Sequence, residues 1–309
     1  MRVVIIGLGI QGRKRLAVAG GDVIATVDPV IPGADYREIQ AVPLDRFDAA
    51  LVCTPDQAKL GLLKYLLAHG KHALVEKPLL APDDSALHEL AGLAQQGRVA
   101  CYTAYNHRFE PVLVKLKQAL DADTIGPVYL VRGFYGNGTA RDVQRSAWRD
   151  EEPGVLSDLG SHLLDLALFL FGSVEGRLTL WSAQRFENRA PDHVLFGISD
   201  GRPAMVLEST LVSWRNTFML DVFGERGSLH AHGLCKWGPS RFITRQRVLP
   251  SGKPKEEVWT VECPDPTWAL EYDHFKRLCA SGGTNLEHDV WISGVLNGLA
   301  RSGMESALI

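Results

Sequence analysis

Between Gly154 and Gly172 the chain reads GVLSDLGSHLLDLALFLFG, an apolar stretch carrying three groups that can hold or move a proton: Asp158, His162 and Asp165. Leu156, Leu159, Leu163, Leu166 and Leu170 recur at three- and four-residue steps, the period of a buried helix. At about 100° per residue, positions i, i+4 and i+7 fall within roughly 60° of one another, so the carboxylates and the imidazole form one polar line on an oily rod. Burying that line is costly unless each group finds a partner. Two readings meet the cost. One is an internally paired seam that registers the helix against its neighbours; the other is an acid–base site, in which an imidazole that titrates near neutrality takes a proton and a carboxylate steadies it.

A second cluster sits at the start of the chain. The β-branched run Val3 to Ile6 suits a buried parallel strand and leads into Gly7-Leu8-Gly9-Ile10-Gln11-Gly12, followed by the helical Arg13 to Ala19. Strand, GxGxxG and helix in that order form the context a dinucleotide fingerprint requires. Gly7 permits the tight turn, Gly9 lets a pyrophosphate approach, and Gly12 lets the helix pack close to the sheet, while the helix N-terminus supplies amide donors for the phosphates. A second strand, Val23 to Val27, ends at Asp28. A carboxylate there accepts ribose hydroxyls and repels a 2′-phosphate, which favours NAD over NADP; Pro29 and Val30 follow, with no arginine or lysine close by.

These groups need a scaffold, and the intervening residues describe one. Ala49 to Cys53 reads as a third strand ending in Thr54-Pro55, Gln57 to His69 as a helix, and Ala73 to Val75 as a fourth strand ending in Glu76-Lys77-Pro78. A helix over Ser85 to Gln96 and a strand over Val99 to Ala104 lead to Asn106-His107-Arg108-Phe109-Glu110-Pro111. Ligands in open α/β sheets bind at the carboxyl ends of the strands, so these strand-end motifs fall on one side. Pro78 holds Lys77 in an extended conformation and so aims one lysine. From Gly126 onward the texture is strand-like, with turns at Asp200-Gly201 and Glu225-Arg226-Gly227 that suit an antiparallel sheet, and two helices, Thr267 to Ala280 and Leu286 to Arg301, come last. The expected division is an α/β domain over 1–122 and an α+β domain over 123–309.

Composition narrows the function. With 309 residues, 46% apolar, 22% charged and a net charge of -3 of interspersed sign, the chain has the make-up of a folded soluble protein, not of a nucleic-acid or anionic-membrane binder. The apolar run at the start is too short for a secretory signal, and none reaches the length of a membrane span. Five scattered cysteines without a CxxC pair suit reduced thiols and a cytoplasmic location. His230-Ala231-His232 with Cys235 invites a zinc reading, but no second pair of ligands accompanies it, and no metal is expected. Trp148, Arg149, Arg108 and Asn106 are polar or aromatic groups suited to a small substrate.

Taken in order, the GxGxxG fingerprint, Asp28, Thr54-Pro55, Glu76-Lys77-Pro78, the Asn106/Arg108/Pro111 pattern and Asp158-x-x-x-His162 make the chain resemble the Gfo/Idh/MocA oxidoreductases, the glucose–fructose oxidoreductase and inositol dehydrogenase group. The resemblance implies an N-terminal Rossmann domain and a C-terminal α+β domain with a large, mostly antiparallel open sheet. It implies NAD held by Gly7, Gly9, Ile10, Gln11, Gly12, Asp28, Thr54, Pro55, Glu76, Lys77 and Asn106. It further implies catalysis by Lys77, His162 and Asp158, with Asp165 as a structural partner, and substrate contacts from Lys77, Arg108, Trp148, Arg149, Asp158 and His162. The expected activity is hydride transfer between nicotinamide and a secondary hydroxyl of a sugar, sugar derivative or cyclitol, in a homodimer or homotetramer joined through the C-terminal sheet. Two alternatives stand beside it: a glycosidase-like member that uses NAD transiently, and a cofactor-binding regulator without turnover. Two departures from the family pattern are Ala58-Lys59, where a histidine is often found, and Pro153 before Gly154.

Overall fold

A computed structural model describes residues 1–146 and 149–306. Its first 106 residues build a parallel sheet of β1 (Val3–Ile6), β2 (Val23–Val27), β3 (Ala49–Val52), β4 (His72–Glu76) and β5 (Cys101–Ala104), in the order β2-β1-β3-β4-β5. Between the strands run α1 (Ile10–Ala19), α2 (Asp56–Ala68) and α3 (Asp84–Gly97). Every residue of β1, β3 and β5 is buried, as expected of strands covered on both faces. One core cluster holds Val4, Ile6, Val52, Leu63, Leu66, Val75 and Leu90, and a second holds Val3, Ile5, Leu51, Leu74 and Tyr102. Burying each large aliphatic side chain contributes about 1.5–3 kcal/mol relative to exposure.

After a short turn at Asn106–Phe109 come α4 (Pro111–Asp121), β6 (Val128–Gly136), α5 (Ala140–Gln144) and α6 (Ser161–Phe171). Seven strands follow: β7 (Thr179–Gln184), β8 (His193–Ile198), β9 (Ala204–Thr210), β10 (Thr217–Gly224), β11 (Gly227–His232), β12 (Ser240–Gln246) and β13 (Glu256–Val261). They form an eight-stranded sheet, β13-β12-β11-β10-β6-β9-β8-β7, in which only β6 and β9 run parallel. Val131 and Tyr135 of β6, Phe218, Leu220 and Val222 of β10, and Leu229 and Ala231 of β11 alternate into the core, each 3% exposed or less. Their partners at odd steps form the opposite face, where Met219 and Val258 are 39% and 52% exposed.

The chain closes with α7 (Thr267–Ser281) and α8 (Leu286–Ser306). Two compact units result, one of residues Met1–Asn106 with Trp268–Gly294, the other of His107–Thr267 with Val295–Ile309. The expected division lay near residue 122, whereas the compact units divide at Asn106/His107 and share the closing helices. Contacts of α4 with β11, β12 and α6 draw the chain into the second unit from His107. In the other direction, Tyr272 and Phe275 of α7 complete the core around Val3 and Ile5, and Leu286 joins that around Val4. Thr103 at the end of β5 donates through N to Asn285 Oδ1 at 2.8 Å and through Oγ1 to Asp289 Oδ2 at 2.7 Å, which pins the start of α8 to the parallel sheet. Among the described residues, no helix is long and apolar enough to cross a membrane.

Candidate active site

In the first unit, the Gly7–Gly12 loop is shaped by backbone crowding. Gly7 has φ +91°, and a Cβ there would stand 2.6 Å from the carbonyl oxygen of Cys53; a Cβ on Gly12 would stand 1.8 Å from the carbonyl oxygen of Gly7. Gly9 is different, since a Cβ there would meet nothing within 4 Å. It precedes α1 without a side-chain cap, so the first amides of that helix keep their donors for a ligand, and Ile10 and Gln11 are exposed beside them.

Asp28 lies at the end of β2, 7% exposed. Its Oδ2 accepts from Leu8 N at 2.8 Å and its Oδ1 from Val30 N and Ile31 N at 2.9 and 2.8 Å. Burial pushes this carboxyl up, but the three amides, with Arg37 nearby, hold it below its ordinary range. Three of roughly four acceptor positions on the carboxylate are therefore taken by backbone. The expectation that no cation stands near Asp28 is corrected by Arg37: the turn after β2 brings its Nη1 to the carbonyl oxygens of Asp28 and Ile31 at 3.3 and 3.2 Å.

Thr54, at the end of β3, has a buried Oγ1 without a hydrogen-bond partner, and Pro55 immediately precedes α2. Glu76 ends β4 and accepts from Arg15 Nε at 2.7 Å, and the Lys77–Pro78 peptide is cis. Lys77 is half-buried. Lys59, one of the departures noted in the sequence, is buried in α2 and donates to the carbonyl oxygen of Pro78 at 2.7 Å, holding the turn that presents Lys77. Burial pushes the Lys59 ammonium down, against the pull of Asp56. Asn106 ends this unit, half-buried in the turn that follows β5.

The second unit contains the acid–imidazole row, and its geometry is not one regular helix. Leu156–Gly160 form a π turn that runs into α6, a distortion that often marks functional positions. The three polar groups consequently have different surroundings. Asp158 is about a third exposed and accepts from Arg149 Nη2 at 3.4 Å. His162 is 5% exposed, its ring stacked on His107 with centroids 4.0 Å apart and planes at 21°. Asp165 is fully buried and takes Arg108 through Nε at 3.0 and 2.9 Å and Nη2 at 2.5 Å. Arg108 is bound to this buried carboxylate in a fork-like pairing. Trp148 lies outside the described residues.

Tyr135 closes this cluster, its ring 5.7 Å from His162, 5.2 Å from His107 and 5.7 Å from Phe218. Lys236 Nζ donates to Tyr135 Oη at 3.1 Å. Burial, followed by Asp158 and Asp265, pushes the phenol far above its ordinary value and keeps it a neutral hydrogen-bonding group. His107, Tyr135 and Lys236 were missed as site residues. Only His107 carried a signal, standing between Asn106 and Arg108 in a motif already singled out.

One unit is a parallel dinucleotide-type sheet with an open phosphate cradle, and the other carries a buried imidazole and a partly exposed carboxylate. Comparison with known proteins agrees: residues 1–105 match the family model described as "Oxidoreductase family, NAD-binding Rossmann fold", and residues 113–230 match the "GFO/IDH/MocA C-terminal domain". The chain belongs to the GFO/IDH/MocA oxidoreductase family. It is 31% identical over 158 residues to inositol 2-dehydrogenase 1 of Saccharopolyspora erythraea, an alignment covering 45% of this chain and 47% of that protein. The chain thus spans about half the length of that relative. A scyllo-inositol 2-dehydrogenase (NADP(+)) of Bacillus subtilis is 23% identical over 74% of this chain and 62% of its own. Levoglucosan dehydrogenase in complex with NADH has the same fold, with a TM-score of 0.83 and 16% identity over 99% of this chain and 97% of its own.

Proposed function

We propose that this protein is an NAD-dependent dehydrogenase that acts on a secondary hydroxyl of a sugar, sugar derivative or cyclitol. The observation that carries the reading is the pairing of a buried, ring-stacked His162 with a half-exposed Asp158 four residues earlier, within a family of NAD-binding oxidoreductases. The first unit fits the cofactor: the unpartnered Thr54 hydroxyl, the free amides at the start of α1 and the open side of Gly9 are the groups a bound pyrophosphate and nicotinamide would satisfy. Gly7, Gly9, Ile10, Gln11, Gly12, Asp28, Thr54, Pro55, Glu76, Lys77 and Asn106 would hold it. Bound NAD supplies the hydride acceptor. His162 takes the hydroxyl proton on a ring nitrogen, and its stack on His107 fixes the plane in which that nitrogen points. Asp158 and Arg149 orient the substrate hydroxyls, and Lys77 supplies the cation that favours the developing alkoxide.

The supporting experiment is a panel of polyols, sugars and inositols with NAD and NADP, followed by the absorbance of the reduced nicotinamide; tight NAD binding with no reduction by any member would defeat the proposal. A chain acting as proposed works in the cytoplasm as a homodimer or homotetramer joined through the outer sheet face, where Met219 and Val258 are exposed in the protomer.

Coenzyme choice gives a sharper prediction. The Asp28 charge opposes a 2′-phosphate, while Arg37 is engaged by carbonyl oxygens. Asp28→Asn, which keeps one acceptor oxygen for the loop amides, raises the ratio of kcat/KM for NADP over NAD by on the order of tenfold, the equivalent of ~1.4 kcal/mol of repulsion removed. An unchanged ratio in a folded variant would show that Asp28 does not discriminate.

A further inference from the structure

A second group of side chains, on the sheet of the second unit, takes no part in the chemistry above. β10 and β11 are antiparallel neighbours in which Asp221 stands opposite His230 and Met219 opposite His232. Opposed residues and residues two apart share a face, so Asp221, His230 and His232 project from the same side. Their polar atoms converge on one point. His230 Nδ1 lies 2.7 Å and His232 Nε2 2.9 Å from the same carboxylate oxygen, Asp221 Oδ1, and one donor atom of each lies within 4.8 Å of the others. Spacing along the sequence paired the two histidines with Cys235. Strand register replaces it with Asp221, while Cys235 Sγ lies against Ser240 and Cys263.

We infer that Asp221, His230 and His232 form a three-donor site for a borderline transition-metal dication, with zinc as its representative. Two imidazole nitrogens and one carboxylate oxygen are the donors such ions prefer. The ligands stand on adjacent strands, a frame that holds their backbones in place with or without an ion. His230, 3% exposed, also has the outer support of a ligand histidine: its other nitrogen, Nε2, lies 2.8 Å from Ser228 Oγ. In the protomer the Asp221 and His232 side chains are 22% and 34% exposed, leaving the fourth position of a tetrahedral ion to a ligand from outside this triad, water or a group of the subunit seated on this sheet face. Burial pushes the Asp221 carboxyl up, but the hydrogen bonds from the two histidines outweigh it and keep the group ionised at neutral pH.

Binding requires two adjustments. Donors on a tetrahedral zinc with bonds of about 2.0–2.1 Å stand roughly 3.3–3.5 Å apart, so the cluster opens by about half an ångström from hydrogen-bonding separations, chiefly at the half-exposed His232. The proton on His230 Nδ1 leaves, and Nε2 carries one instead and donates it to Ser228 Oγ, which accepts as readily as it donates. Arg245 Nη1, 3.1 Å from Nε2, then turns away, its Nε retained by Glu256 Oε2 at 2.7 Å. Arg132 opposite Asp221 and Arg241 opposite His232 surround the cluster with positive charge and hold the affinity below that of a closed four-ligand centre.

The test uses the full chain, stripped with a chelator and given zinc alone. One equivalent per chain is expected after gel filtration, with a Tm that rises with zinc concentration. Asp221→Asn and His232→Ala, both at partly exposed positions, are expected to lose the equivalent and the Tm response, and Cys235→Ser with Cys263→Ser to keep them. Cobalt(II) on the unaltered protein should show a ligand-field spectrum of nitrogen and oxygen donors, a readout that needs no variant. No bound metal, retention in folded Asp221→Asn or His232→Ala, or a thiolate charge-transfer band would each overturn the site and leave a hydrogen-bonded cluster only.

Discussion

His162→Ala lowers kcat for NAD-linked alcohol oxidation by about 10²–10⁴-fold, the scale of one positioned proton transfer, and leaves NAD affinity unchanged. Affinity is spared because the proposed cofactor cradle, from Gly7 to Asn106, lies wholly in the other unit. Lys77→Ala lowers kcat on the same scale by removing the cation proposed to favour the alkoxide. His107 supplies a control. Its ring lies flat against His162, so His107→Phe preserves the stack while removing two ring nitrogens. That variant keeps most of kcat, whereas His162→Ala does not. Full turnover in a folded His162→Ala variant would remove the acid–base assignment altogether.

Which of these residues could be read from the sequence follows from the distance over which each is specified. The Gly7–Gly12 loop, Asp28 and Lys77 lie at strand ends, and strands with their turns are encoded by near neighbours: Val3 to Ile6 by its β-branched run, Lys77 by the proline after it. His162 and Asp158 stand out as polar groups in an apolar stretch, since an exception to a local period is itself local. The π turn at Leu156–Gly160 is not, because the 3.6-residue period assumes the regularity that the turn breaks.

Pairings across the chain escape such reading for the same reason. Arg37 comes beside Asp28 through a turn whose sequence does not specify its path, and Asp221 meets His230 only once the register of β10 and β11 is set. Arg108, a plausible anion receptor by type, is bound to a carboxylate 57 residues away. The share of the closing helices in the first unit is specified over the same long range. The second core of the parallel sheet is incomplete without Tyr272 and Phe275, and nothing local to α7 says which sheet it will cover.

Arg15→Met destabilises the first unit by about 3–5 kcal/mol, the cost of leaving buried carboxylates without their cation. Arg15 occupies the inner stripe of α1 with Gly12 and Ala19, and it is 1% exposed. Its Nε donates to Glu76 and its Nη2 to Glu271, each at 2.7 Å, while its guanidinium lies 4.3 Å from the ring centre of Trp268. Burial pushes the guanidinium down, yet the two glutamates more than offset it and Arg15 stays charged. The Tm of the first unit should fall by on the order of 10 °C. Adding Glu271→Gln to Arg15→Met recovers part of the loss by removing one of the two carboxylate charges that Arg15 balances, a sign that distinguishes lost pairing from lost volume. Glu76 adjoins Lys77, so the single variant should also raise KM for NAD more than it lowers kcat. A wild-type Tm for Arg15→Met, or a double variant less stable than the single, would show that this buried triad does not hold α1 and α7 to the strand that ends at Glu76.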